Sequence, residues 1–139
     1  MKATQNTIPA TALIGGHDVN GQPFAICRHQ QNGTDLIAGK ADKQLGCVLT
    51  FATKEIYITN NESFEVLVAK NVEWVARHGT DPIPEHALVA GTKPGGNTYV
   101  GRCNIRGTQV VGKIDYKFYY GFSGREWNDC SNHEVLVCV

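Results

Sequence analysis

Two lysines and two glutamates recur in matched local settings along the chain. Lys40 follows Gly39 and Lys113 follows Gly112, while Glu55 follows Lys54 and Glu126 follows Arg125. A lysine is a fixed donor and a glutamate an acceptor or a proton carrier. The glutamates either line a cleft or hold the fold by pairing with arginine. The second role is favoured, because Arg28 and Arg102 recur in step with them. A further carboxylate stands in His17-Asp18-Val19-Asn20-Gly21, a segment suited to an Asx turn. Asp18 with Glu55 or Glu126 would make the carboxylate pair that glycoside hydrolysis uses. No signature surrounds such a pair, and no Ser-His-Asp or Cys-His constellation stands out, so no catalysis and no catalytic residue is expected. Asp-x-Asn-Gly hints at a calcium loop, but His29 stands where an EF-hand needs its last glutamate. Cys130-x-x-His133 is half of a zinc spacing. Neither a metal nor a cofactor is expected.

These residues are carried on 139 positions, 42% hydrophobic and 19% charged, which suits one globular unit. Thirteen basic residues balance thirteen acidic ones. That argues against a nucleic-acid partner, which normally meets a basic face. No apolar run approaches the roughly 20 residues that span a bilayer, so no membrane insertion is expected. The first residues lack the apolar core of a secretory signal. The chain is therefore expected in the cytoplasm, or outside the cell by a non-classical route. Its five cysteines, Cys27, Cys47, Cys103, Cys130 and Cys138, form no CxxC and no tight framework. The expectation is mostly buried free thiols.

The chain is built twice. Ile8-Pro9 returns as Ile83-Pro84, Ala12-Leu13 as Ala87-Leu88 and Gly16 as Gly91. Arg28 returns as Arg102, Gly39-Lys40 as Gly112-Lys113, Phe51 as Phe122 and Glu65-Val66-Leu67-Val68 as Glu134-Val135-Leu136-Val137. The offset drifts from 75 to 69, as short deletions in the second copy would make it. On this register His133 falls on Phe64, a strand position rather than a metal ligand. Two copies of this length are too few for a solenoid array. They predict a pseudo-twofold pair, residues 1–70 and 71–139, sharing one core in one compact unit.

The local signals are β throughout. Thr98 to Cys103 and Ile114 to Phe118 alternate with period two, and Phe64 to Val68 and Val135 to Val139 read as buried strands. Val72 to Val75 predicts a further strand in the join. Turn signals recur: Asn20-Gly21, Asn32-Gly33, Pro94-Gly95-Gly96, Arg106-Gly107 and Ser123-Gly124. No stretch sustains a helical apolar period. The fold class is all-β, with short antiparallel strands in two related halves.

Ala87-Leu88-Val89-Ala90-Gly91, Tyr99-Val100-Gly101-Arg102, Gly112-Lys113 and Glu134-Val135-Leu136-Val137 resemble the DM-nine repeat, and two tandem copies resemble the DM-nine lectins of molluscs. The repeat also occurs in natterin-like proteins. The resemblance runs from about Ile8 to Val137 and implies a mannose-favouring lectin, two β-rich repeats about a pseudo-twofold axis, homodimers and a role in innate immune recognition. It implies sugar contacts at Asp18 and Lys40. Repeat 2 keeps the lysine as Lys113 but has Lys93 in place of the aspartate, and repeat 1 has Cys27 before Arg28 where glycine is usual. Lys113, Glu55 and Glu126 are secondary or cleft candidates. An Asp–Lys pair clamps vicinal hydroxyls without a metal, the carboxylate accepting and the ammonium donating. Tyr99, Tyr119, Tyr120, Phe122 and Trp127 are candidates for covering the sugar's C–H face. Other classes are a lectin for another hexose or N-acetylhexosamine, and a binding module related to natterin-type membrane-acting proteins.

Overall fold

A computed structural model describes every residue from Met1 to Val139. It is all-β, with no helix. A short β1 (Lys2–Ala3) precedes the first repeat, which comprises β2 (Ile14–His17), β3 (Pro23–Gln31), β4 (Asp35–Asp42), β5 (Gly46–Phe51), β6 (Lys54–Ile58) and β7 (Phe64–Val66). The join forms β8 (Val72–His78), where its alternation predicts a strand. The second repeat comprises β9 (Val89–Lys93), β10 (Gly96–Ile105), β11 (Thr108–Asp115), β12 (Lys117–Phe122), β13 (Arg125–Trp127) and β14 (Asn132–Cys138).

Every strand pairing is antiparallel. Within each repeat the strands pair in sequence order, β2 through β6 and β9 through β13. The repeats then lock by exchange. β2 pairs β11 through His17 and Gln109, β4 pairs β9 through Leu36 and Thr92, and β13 meets β6 through Arg125 and Lys54. The first two contacts are mates under the pseudo-twofold, and the third lies on its axis. The ring β3-β2-β11-β12-β13-β6-β5-β4 closes through β3 and β4, making a barrel with extra strands at its margins.

Turn chemistry sets the hairpins. Asn32-Gly33, Arg106-Gly107 and Ser123-Gly124 each place two successive residues at positive φ, the type I′ geometry that matches strand twist. The repeat-1 counterpart of Ser123-Gly124 is Ala52-Thr53, also at positive φ, with no glycine or asparagine to announce it. The core has three clusters. One is built around Leu49 and Phe64 of repeat 1, one around Ile114 and Phe118 of repeat 2. The third joins Ile26 and Ala38 to Ala90, Val100, Val111 and Leu136, so the repeats do share apolar burial.

The expectation of free thiols is overturned. Cys27 bonds to Cys47 and Cys103 to Cys130, leaving only Cys138 free. Loop spacing hid the pairs. The first bridge passes over β4 to join β3 to β5, the strands on either side of it, and the second ties β10 to the loop before β14.

Candidate functional site

The glycine of each Gly-Lys step lets a neighbouring strand lie unusually close, and the lysine then reaches into the other repeat. Lys40 on β4 donates from Nζ to the Gly121 carbonyl at 3.3 Å, and Lys113 on β11 donates to the Thr50 carbonyl at 2.9 Å. Gly121 and Thr50 are themselves counterparts, on β12 and β5. The recurrence of the two lysines is therefore an exchange across the axis. Glu55 and Glu126 join the same exchange: the Glu55 N–H donates to the Gly124 carbonyl and the Glu126 N–H to the Thr53 carbonyl.

The two halves of this axial site differ in finish. In repeat 1 Lys40 is buried, its ammonium 5.2 Å from the centre of the Phe24 ring. Burial lowers its pKa, and the charges of Glu55 and then Asp42 pull it back up. Glu55 Oε1 accepts from the Gly124 N–H and the Tyr57 hydroxyl. Tyr57 titrates above its ordinary range, through burial first and the Glu55 charge second. In repeat 2 Lys113 lies 3.3 Å from Glu126 Oε2, with 13% and 14% of the two side chains exposed, and 5.6 Å from the Tyr119 ring. Glu126 Oε2 is buried and accepts no hydrogen bond, so the lysine sits close but out of line. Tyr119 is raised by burial and then by Asp115 and Glu126.

Asp18 and Lys40 do not touch. Asp18 Oδ1 accepts from the N–H groups of Asn20 and Gln22 and so shapes its own turn. The carboxylates acting on Lys40 are Glu55 and Asp42. The repeat-2 counterpart of Asp18, Lys93, has a longer reach and pairs with Asp115, beside Tyr119. The favoured partners for Glu55 and Glu126 are corrected. Arg28 pairs with Glu65 and Arg102 with Glu134, one strand over, while Glu55 and Glu126 face the axis. Among the aromatic candidates Tyr119 belongs to the axial site and Tyr120 is buried, its hydroxyl donating to Asp129. Tyr99 packs on the repeat-2 core, and Phe122 and Trp127 line a separate open hollow of about 690 Å³ beside the second disulfide. Tyr57 was missed, because it recurs in no second copy.

His133 is a core histidine. Its Nε2 accepts from Arg77 at 3.2 Å and its Nδ1 donates to the Cys130 carbonyl, while the Cys130 sulfur is bonded to Cys103. Burial is the first cause lowering its pKa from 6.5, and the Arg77 charge also lowers it. A base depressed in the folded state contributes fully above its unfolded pKa and loses that contribution as pH falls below it. The melting temperature is therefore expected to drop from pH 7 to pH 5. The slope should flatten in His133→Gln, as thermal melts across that range would read.

The DM9 repeat family model matches residues 33–129, most of the chain. No curated protein matches the sequence.

Proposed function

The chain belongs to the DM9 repeat family, which is associated with carbohydrate-binding, lectin-like function, and from that premise we propose that it binds mannose-type glycans without catalysis. Asp18 and Lys40 serve the repeat-1 side, and Lys113, Glu126 and Tyr119 the repeat-2 side, with Glu55 between them. The observation that carries the reading is Glu126 Oε2, buried beside the Lys113 ammonium and accepting nothing. An acceptor left in that state costs about 1–3 kcal/mol. Once the Glu126 side chain turns outward, a sugar hydroxyl that donates to Oε2, while a neighbouring hydroxyl accepts from lysine, removes the deficit. The Tyr119 ring beside them supplies an apolar plane. Asp18 stands at the place from which Lys93 reaches Asp115 in the other repeat, and its carboxylate enters when a ligand bridges the gap.

A single sugar on so small a set of contacts binds at about millimolar strength, near −4 kcal/mol. Capture of a glycan surface then calls for avidity, so we place the chain as a homodimer in glycan recognition of the innate immune kind. The two disulfides favour an oxidising setting for that work. The test is a glycan array followed by mannose titration of wild type, Asp18→Ala, Lys113→Met and Glu126→Gln. Each substitution is expected to weaken binding about tenfold, the worth of roughly one charge-assisted bond. Wild-type affinity in Asp18→Ala removes that residue from the site. Silence across the array removes the function, and release of reducing sugar from mannosides would show an enzyme instead.

A further inference from the structure

Repeat 1 fills the space behind its β5–β6 hairpin with its own chain, and repeat 2 leaves the corresponding space open. We propose that this hollow, walled by Phe122 and Trp127 and rimmed by Arg106, is a second glycan subsite that takes an acidic sugar residue of the hexuronic type. The choice of a saccharide rests on the lectin reading above, while the hollow shares no residue with the axial site.

A short deletion opens the space. Residues 57–63 join Ile56 to Phe64, seven of them, whereas residues 128–132 join the counterparts Trp127 and His133 with five. β6 runs on to Ile58, which is 3% exposed and packs in the core with Leu49 and Phe64. β13 stops at Trp127, and a hollow of about 690 Å³ lies beyond it. Pairing across the β12–β13 hairpin sets Tyr120 opposite Trp127 and Phe122 opposite Arg125, and opposed residues share a face. That face carries the hollow. Glu126, opposite Gly121, is on the other face, toward the axis. The two sites therefore stand back to back on one hairpin.

The lining suits a sugar, and the charge at its mouth selects an acid. The Tyr120 hydroxyl donates to Asp129 Oδ1, which fixes that carboxylate and leaves its second oxygen to accept from a sugar hydroxyl. Phe122 and Trp127 supply apolar planes for the C–H face. Arg125 lies against Trp127, its Cζ 4.9 Å from the ring centre. Neither Arg106 nor Arg125 belongs to an ion pair. Two unpaired guanidiniums against one carboxylate make the hollow and its border net positive. A sugar carboxylate meets the fork of Arg106 with two parallel bonds. The backbone adds a separate sign. Arg106 stands at φ +50 in its hairpin turn, in the left-handed region where asparagine is at home, and repeat 1 does have Asn32 there. A long cationic side chain at such a position points to a demand beyond the turn itself.

The probes are the methyl glycosides of glucuronic, galacturonic and mannuronic acid. Each is titrated into the full chain while backbone and indole N–H shifts are followed by NMR. Saturable shifts are expected at Arg106, Asp129 and the Trp127 indole, with the Trp74 indole, stacked on Arg102, unmoved. The neutral methyl glucoside has a hydroxymethyl group where the glucuronide has its carboxylate, and it should bind about tenfold more weakly. Arg106→Asn installs the residue of repeat 1 and suits the turn, so it tests the charge without disturbing the fold. It should weaken uronide binding by a similar factor. Mannose binding at the axial site is read at other amides, those of Glu126 and Tyr119, so either reading can fail alone. Equal binding of the acidic and neutral glycosides, or undiminished uronide binding in Arg106→Asn, overturns the proposal. So do shifts confined to Glu126 and Tyr119, equal shifts with acetate, or silence from all three uronides well above millimolar concentration.

Discussion

Removing the Cys27–Cys47 bridge is expected to cost about 3 kcal/mol, the loop-closure value for a bridge of this span. The two residues are 20 apart in sequence, and both are buried, at 1% and 0% exposure. The double variant Cys27→Ala/Cys47→Ala should therefore melt about 10 °C lower. Added reductant should move wild type the same way. Repeat 2 shows that the barrel does not need sulfur at this place. The counterparts of Cys27 and Cys47 are Gly101 and Phe118, and a Cβ built on Gly101 would stand 2.6 Å from the Phe118 ring. Glycine and phenylalanine fill together the space that two cysteines fill in repeat 1. The swap Cys27→Gly/Cys47→Phe should thus recover part of the stability lost by the double alanine variant, by restoring buried volume without a crosslink. A urea melt of the three proteins reads this directly. If the swap is less stable than the alanine pair, the equivalence of the two solutions is wrong.

The same pair explains a departure visible in the chain itself. Cysteine stands before Arg28 where repeat 2 has glycine, and the irregularity marks a second way of packing one position. The doubling, the strand class, the strand in the join and most turns could be read in advance, because they rest on local pattern and on identities in order. Ala52-Thr53 could not, since neither residue type signals positive φ. The exchange of β2, β4 and β6 against β11, β9 and β13 was hidden for another reason. A period-two strand states which face is buried and says nothing about which edge it meets. That gap caused the misplaced ion pairs. Two glutamates per repeat recur, Glu55 with Glu65 and Glu126 with Glu134, and only the register gives Arg28 and Arg102 the second of each. The crossing of Lys40 and Lys113 into the opposite repeat was out of reach on the same ground. Their recurrence marked a positional demand without naming its target.

That demand begins one residue earlier, and alanine at Gly39 or Gly112 is expected to be among the most damaging single methyls in the chain. A Cβ at Gly39 would lie 2.1 Å from the Val48 carbonyl oxygen, and one at Gly112 would lie 2.1 Å from that of Tyr119. Both obstacles are backbone, so no side-chain rotation relieves them. The strand must move, and overpacking of this kind costs roughly 3 kcal/mol or more. Gly96 is the control. It lies in a strand at ordinary φ with nothing within 4 Å of its would-be Cβ, so Gly96→Ala should stay within about 0.5 kcal/mol of wild type. The consequence extends to the site. β4 and β5 are held close at Gly39, and Lys40 on the opposite face is thereby aimed at the Gly121 carbonyl. Pushing the strands apart draws the ammonium back from the axis. Gly39→Ala and Gly112→Ala should therefore lose glycan affinity even at temperatures where circular dichroism shows them folded, while Gly96→Ala keeps it. Retained stability in either variant would mean that the close approach of these strands is not what the Gly-Lys step secures.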